Sequence, residues 1–209
     1  MASWIRRSFS SPGLTQVPPG RYLPVMQGRY AGGVVVLCID VSYSMAGTRL
    51  NEAVRGARAF VKEAVEARYK VGVLLWANET VDMSDPSIDE APALRLLDTA
   101  RAHGGTNLLE PLKRTHQVLD GFRDAPDRVV AIFGDGSLGP RDPVLAKVAG
   151  MKAEGIRFVT RGLGDSAARE YEEVASEPDE SAEVGGVDDL ADSIAAMATS
   201  LKGRGRHKK

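Results

Sequence analysis

The sequence predicts an α/β fold: a doubly wound, mostly parallel sheet with helices packed on both of its faces. Two observations carry this. Short apolar runs rich in β-branched residues alternate with longer segments whose apolar residues recur at helical spacing. The short runs are continuously apolar rather than alternating, which is the pattern of strands buried on both faces. A third observation bounds the answer: 209 residues, 43% hydrophobic and 26% charged, suffice for one ordinary buried core with extensions.

VVVLCID at 34–40 is the first strand. Leu50, Val54, Ala57, Val61 and Val65 follow at helical spacing and predict an amphipathic helix over about 48–68. KVGVLLWA at 70–77 is a second buried strand, and ETVDM at 79–83 a short third one after a tight turn at Asn78. PALRLLDTARA predicts a helix over 92–102, which Gly104-Gly105-Thr106 breaks before another begins near Leu108 and runs to about Leu119. RVVAIFGD at 128–135 is a strand, PVLAKVAGMKAE at 143–154 a helix, and IRFVTRGLG at 156–164 a strand. A helix at 166–176, an edge strand near 182–184 and a helix at 187–201 make a six-stranded α/β pattern. Strands alternating with helices in this way imply right-handed crossovers, and ligands of such sheets sit outside the carboxyl ends of the strands.

Charge divides the chain further. The whole carries a net charge of −1, which argues against a general nucleic-acid binder. Residues 1–39 hold Arg6, Arg7, Arg21 and Arg29 and no acid, and KGRGRHKK at 202–209 holds five bases. Residues 40–201 have 18 bases against 28 acids, a net of −10. The reading is a basic Ser/Pro/Gly-rich arm over 1–32, a folded domain over 33–201 and a basic flexible tail over 202–209. Any nucleic-acid contact is confined to the ends, weak and salt-dependent. One cysteine, Cys38, excludes an intrachain disulfide and a cysteine-based metal site.

Chemistry is sought at the strand ends. The first strand finishes in Asp40-Val41-Ser42-Tyr43-Ser44-Met45. In an extended loop alternate residues share a face, so Asp40, Ser42 and Ser44 can converge on one point. Oxygen-only ligands suit a hard cation such as Mg²⁺ or Mn²⁺ better than zinc or copper. Taken alone, a Ser before a helix is ordinarily an N-cap, and an Asp at a strand end is often only solvated. Thr106 precedes a helix, where its hydroxyl can cap that helix or point back over the sheet. Asp135, followed by Gly136, Ser137, Leu138 and Gly139, brings a second carboxylate to the same sheet edge or opens an Asx-turn.

The order Asp40-x-Ser42-x-Ser44, then Thr106 after a double glycine, then Asp135-Gly136, resembles the metal-ion-dependent adhesion site (MIDAS) of von Willebrand factor type A (VWA) domains. The resemblance covers residues 33–201. It implies a doubly wound sheet with one short antiparallel edge strand, here 79–83. It also implies that Ser42, Ser44 and Thr106 supply hydroxyls to Mg²⁺, with Mn²⁺ or Ca²⁺ as alternatives, and that Asp40 and Asp135 ligate directly or through water. Tyr43 stands where the family often has Gly, and Gly134 where it often has Thr.

A Mg²⁺ held by neutral hydroxyls stays electron-poor and keeps a position for an outside ligand. The implied function is a cation-gated protein–protein contact in which a partner's Asp or Glu meets the metal, with Tyr43, Met45, Gly105, Gly136 and Ser137 as the surrounding rim. The alternative is a Mg²⁺-dependent phosphoryl-transfer or hydrolytic enzyme using the same ion. Against it, an aspartyl-phosphate enzyme needs a second Asp two residues after the first, where Ser42 stands, and no Gly-x-x-x-x-Gly-Lys-Ser/Thr loop occurs. Neither His103 nor His116 has an evident partner for base catalysis. Standalone domains similar to this one often act beside a chaperone-like ATPase or in a multi-protein complex. The lack of an apolar leader in MASWIRRSFSS and the lone cysteine favour the cytoplasm, and the Ala, Gly and Arg content a GC-rich bacterial source.

Overall fold

The computed structural model describes residues 32–177 and 181–202. Apart from Gly32 and Lys202, the expected arm and tail lie outside the described residues. Six strands, β1 Gly33–Asp40, β2 Tyr69–Trp76, β3 Thr80–Ser87, β4 Arg128–Gly134, β5 Ile156–Leu163 and β6 Ser181–Val184, form one sheet in the order β3-β2-β1-β4-β5-β6. All neighbours are parallel except β2 and β3. The helices are α1 Thr48–Glu66, α2 Ala91–Asp98, α3 Leu109–Asp120, α4 Arg141–Ala153, α5 Asp165–Val174, α6 Leu190–Ala196 and α7 Thr199–Lys202.

The pleat of β1 shows why the strands read as uninterrupted apolar runs. Val35, Leu37 and Ile39 point into a core built with Ala57, Phe60 and Val61 of α1, Leu96 and Leu97 of α2 and Leu190 and Ile194 of α6. Val34, Val36 and Cys38 point the other way, against Leu112 of α3, Val144 and Val148 of α4 and Tyr171 and Val174 of α5. Every position of β1 is therefore buried. Two glycines permit close helix approach. A Cβ at Gly56 of α1 would lie 2.5 Å from the carbonyl oxygen of Ala191, and one at Gly162 of β5 would lie 2.5 Å from the amide nitrogen of Ala168 in α5.

Three elements depart from the sequence reading. The antiparallel edge strand is eight residues long rather than a short 79–83. It runs on through Asp82, Ser84, Asp85 and Pro86 because an edge strand has a solvated side, where charge and a missing N–H are tolerated. Its register with β2 shifts between Val71 and Val73, where Ser84 Oγ accepts from the Val73 N–H at 2.9 Å. The helix expected over 92–102 stops at Asp98, and the one over 187–201 divides at 197–198. In both places hydroxyls turn back onto the chain: Thr99 Oγ1 onto Leu96 O at 2.7 Å, Thr199 Oγ1 onto Ala196 O at 2.7 Å and Ser200 Oγ onto Met197 O at 2.8 Å.

The strand order places the site. From β1 the chain builds to one side through β2 and β3, then crosses to build the other side through β4, β5 and β6. The carboxyl ends of β1 and β4 thus flank the point where the winding reverses, which is where open α/β sheets bind ligands.

Candidate metal centre

Three loops meet over those strand ends, and backbone hydrogen bonds lock them together. Tyr43 N–H donates to Gly104 O at 3.1 Å and His103 N–H to Val41 O at 2.8 Å, tying the β1 loop to the double-glycine loop. Leu108 N–H donates to Leu138 O at 3.1 Å, tying the double-glycine loop to the one that follows β4.

Asp40 is fully buried at the end of β1, and its Oδ1 accepts from the Ser42 N–H at 2.8 Å. Ser42 caps no helix with its side chain; its Oγ lies 2.9 Å from Ser44 Oγ. Ser44 Oγ donates to Asp135 Oδ1 at 2.7 Å. A hydroxyl has one proton, so the Ser42 hydroxyl is the donor to Ser44. Asn107 Oδ1, not Thr106, accepts from the N–H of Leu109 at the start of α3. Thr106 Oγ1 instead faces Gly136, where a Cβ would lie 3.6 Å from it. The structure therefore links Asp40, Ser42, Ser44 and Asp135 in one hydrogen-bonded series, with Thr106 across from Gly136.

The rim is corrected in one place. Tyr43 is 69% exposed, Gly105 and Ser137 are exposed and Gly136 is half-buried, but Met45 is fully buried. Residues 43–45 form a 3₁₀ turn closed by Met45 N–H on Ser42 O at 2.9 Å, which folds Met45 beneath the loop into the core. It anchors the loop from below.

Two residues missed in the sequence complete the site. Arg49, in the first turn of α1, donates from Nη1 to Asp135 Oδ2 at 2.9 Å and to Ser44 O at 3.1 Å. Its signal was available: a cation in a helix's first turn opposes the helix dipole unless a carboxylate receives it. Tyr171 of α5 lies buried beneath Asp40 and Gly134.

The fit to a cation can be tested on the chain itself. Asp40 Oδ2 is buried and has no hydrogen-bond partner. Burial pushes the Asp40 carboxyl up to about 6, the hydrogen bond from the Ser42 N–H pulls it down, and the charge of Asp135 pushes it up again. An unpartnered buried carboxylate oxygen beside a second carboxylate and three hydroxyls is a donor set that fits a hard divalent cation.

A second group, His116, Asp120 and Glu154, has donor atoms within 4.8 Å of one another. Its charges are already matched. Arg123 Nη2 donates to both Asp120 oxygens at 3.0 Å, His116 Nε2 lies 3.0 Å from Glu154 Oε2, and Lys147 Nζ lies 2.5 Å from His116 Nδ1.

Comparison with known proteins agrees with this fold. The family model of the von Willebrand factor type A domain matches residues 35–137, which contain all five predicted ligands. Over those residues the chain is similar to the von Willebrand factor type A domain. The VWA domain of the type V pili tip protein Mfa5 from Porphyromonas gingivalis superposes with a TM-score of 0.75 at 14% identity, covering 84% of this chain and 97% of that one. A von Willebrand factor type A protein from Catenulispora acidiphila gives 0.67 at 18% identity, covering 83% and 43%. Proximal thread matrix protein 1 of the mussel byssus, in a form with a zinc-occupied MIDAS motif, gives 0.66 at 15% identity, covering 82% and 47%. The chain thus spans nearly all of the first and under half of the other two. No curated protein matches it in sequence. Among the described residues no helix is long and apolar enough to cross a membrane.

Proposed function

We propose that this VWA domain is a divalent-cation-dependent protein-binding module. Asp40, Ser42, Ser44, Thr106 and Asp135 would hold Mg²⁺, or Mn²⁺ or Ca²⁺ in its place, and a partner protein would contribute an Asp or Glu carboxylate. The observation that most supports this reading is the buried, unpartnered Oδ2 of Asp40 at the winding reversal of the sheet. Bound there, the ion supplies an electron-poor centre that an outside carboxylate completes, because three of its five ligands are neutral hydroxyls.

The chain's own residues do the rest. Asp40 Oδ1 and the Ser42 N–H fix the turn after β1, and the Ser42–Ser44–Asp135 series orients the hydroxyls toward one another. Tyr43, 69% exposed, stands beside them with Gly105, Gly136 and Ser137 as the surface a partner would meet. A chaperone-like ATPase or a multi-protein complex is the setting we propose for that partner. The likeness to pilus-tip and matrix proteins supports an adhesive or interaction role in general.

Isothermal titration of Mg²⁺ and Mn²⁺ into wild type and Asp40→Ala tests the site. We expect binding by the wild type that the variant lacks; no wild-type binding, or equal binding by both, sinks the reading. A partner retained in Mg²⁺ and released by EDTA would then support the interaction role. Metal-dependent phosphatase or nuclease turnover lost in Asp40→Ala would replace that role with an enzyme.

A further inference from the structure

Within the metal centre's buried floor, two polar atoms lack partners. One is Asp40 Oδ2, and the other is the hydroxyl oxygen of Tyr171. Both flank the same small space, the one that Gly134 leaves by having no side chain. A Cβ at position 134 would collide with the Tyr171 hydroxyl, lie 2.9 Å from its Cζ and lie 3.1 Å from Asp40 Oδ2.

The tyrosine is held there from several sides. It is fully buried in the core layer of α4 and α5, its carbonyl accepts from Thr160 Oγ1 at 3.0 Å, and α5 sits close on β5 because Gly162 has no side chain. A core position of this kind would accept Phe without the cost of burying a hydroxyl. The hydroxyl faces an environment set by two carboxylates, Asp40 and Asp135, and ionised carboxylates can only accept. A phenol carries its proton at neutral pH, so in this pair it is the donor.

Resting on the metal reading above, we propose that Tyr171 is a positioning residue of the metal centre, its hydroxyl entering the space left by Gly134 to serve as donor to the inner oxygen of Asp40. One oxygen of Asp40 is already fixed by the Ser42 N–H. Tyr171 supplies a second hold, on the other oxygen, so that the carboxylate keeps its plane when it is charged. Donors one step removed from a metal act in this way on ligand orientation, and their loss costs roughly 10–100-fold in affinity.

The test is Mg²⁺ calorimetry on the full-length wild type and Tyr171→Phe, with thermal melts of both in EDTA. We expect Tyr171→Phe to bind Mg²⁺ about tenfold or more weakly, while melting in EDTA at or above the wild-type temperature. Gly134→Ala, which must displace the phenol, should weaken binding in the same direction. Mg²⁺ addition should also give a near-ultraviolet tyrosine difference band that Tyr171→Phe reduces. Wild-type affinity in Tyr171→Phe overturns the role of Tyr171 and leaves the metal site standing. A Tyr171→Phe protein that melts well below wild type in EDTA overturns it too, by showing a packing role. Absence of any Mg²⁺ binding by wild type overturns the metal reading and this one with it.

Discussion

The guanidinium of Arg49 sits on Asp135, with Nη1 2.9 Å from Oδ2, while Ser44 donates to the other oxygen of the same carboxylate. The Arg49 side chain is 46% exposed and that of Asp135 only 1%. The protein thus brings its own cation to a site whose two carboxylates would otherwise repel, and that cation holds an oxygen a divalent ion would use.

Arg49→Ala should therefore separate two effects. In EDTA it should melt lower by roughly 2–4 °C, since a pair with one exposed partner contributes about 1 kcal/mol. In calorimetry it should bind Mg²⁺ more tightly, by roughly fivefold for the same energy. Equal or weaker Mg²⁺ binding by the variant would show that Arg49 does not compete for Asp135.

Asp40→Asn isolates the charge of the buried carboxylate. Asparagine keeps an oxygen to accept from the Ser42 N–H and removes the charge that burial disfavours. In EDTA the variant should melt a few degrees above wild type, at roughly 2–4 °C per kcal/mol for a domain of this size. Added Mg²⁺ should raise the wild-type melting temperature and leave the variant unmoved. A variant that melts lower in EDTA would mean that the carboxylate stabilises the fold by itself.

What was legible in the sequence follows from which signals are periodic. β1, β2 and β4 are legible because strands buried on both faces carry long apolar runs, and Asp40 and Asp135 stand out because they follow such runs. The same period misled at Met45. The spacing of Asp40, Ser42 and Ser44 assumed an extended loop, whereas residues 43–45 turn with a period of three and carry Met45 inward. β3 extends past its apolar stretch because half of an edge strand is solvated and need not be apolar. Tyr171 was out of reach for another reason. Its helical spacing marks it as core, and only the fold brings it beneath Gly134, which the sequence shows merely as a departure from the family pattern.

Gly56→Ala tests the packing of α1 against α6. Helix propensity alone favours alanine by about 1 kcal/mol, yet the added Cβ would lie 2.5 Å from Ala191 O and 2.9 Å from Ile194 Cβ. Backbone on one side and a branched core residue on the other leave little room to yield. A net loss of about 1–3 kcal/mol is expected, read as a fall in the urea midpoint with an unchanged slope. Stabilisation would show that α6 shifts freely on α1.

Cys38 supplies a pH dependence whose sign can be worked out. Burial pushes its thiol up to about 12, against the hydrogen bond with Thr115 Oγ1 at 3.5 Å that lowers it. In the unfolded chain the thiol titrates near 8.5. Below that pH both states hold the proton and the contribution to stability is complete. As the pH rises, the unfolded chain releases its proton and the native chain keeps it, so stability falls, by about 2 kcal/mol at pH 10. Cys38→Ala leaves a small cavity but has no thiol to titrate. Its melting temperature should lie below wild type at pH 7, and the gap should narrow steadily from pH 8 to pH 10. Across the same range a thiol reagent should modify the native wild type no faster than the protein unfolds. A constant gap, or prompt modification at pH 9, would show that the β1 thiol is open to solvent.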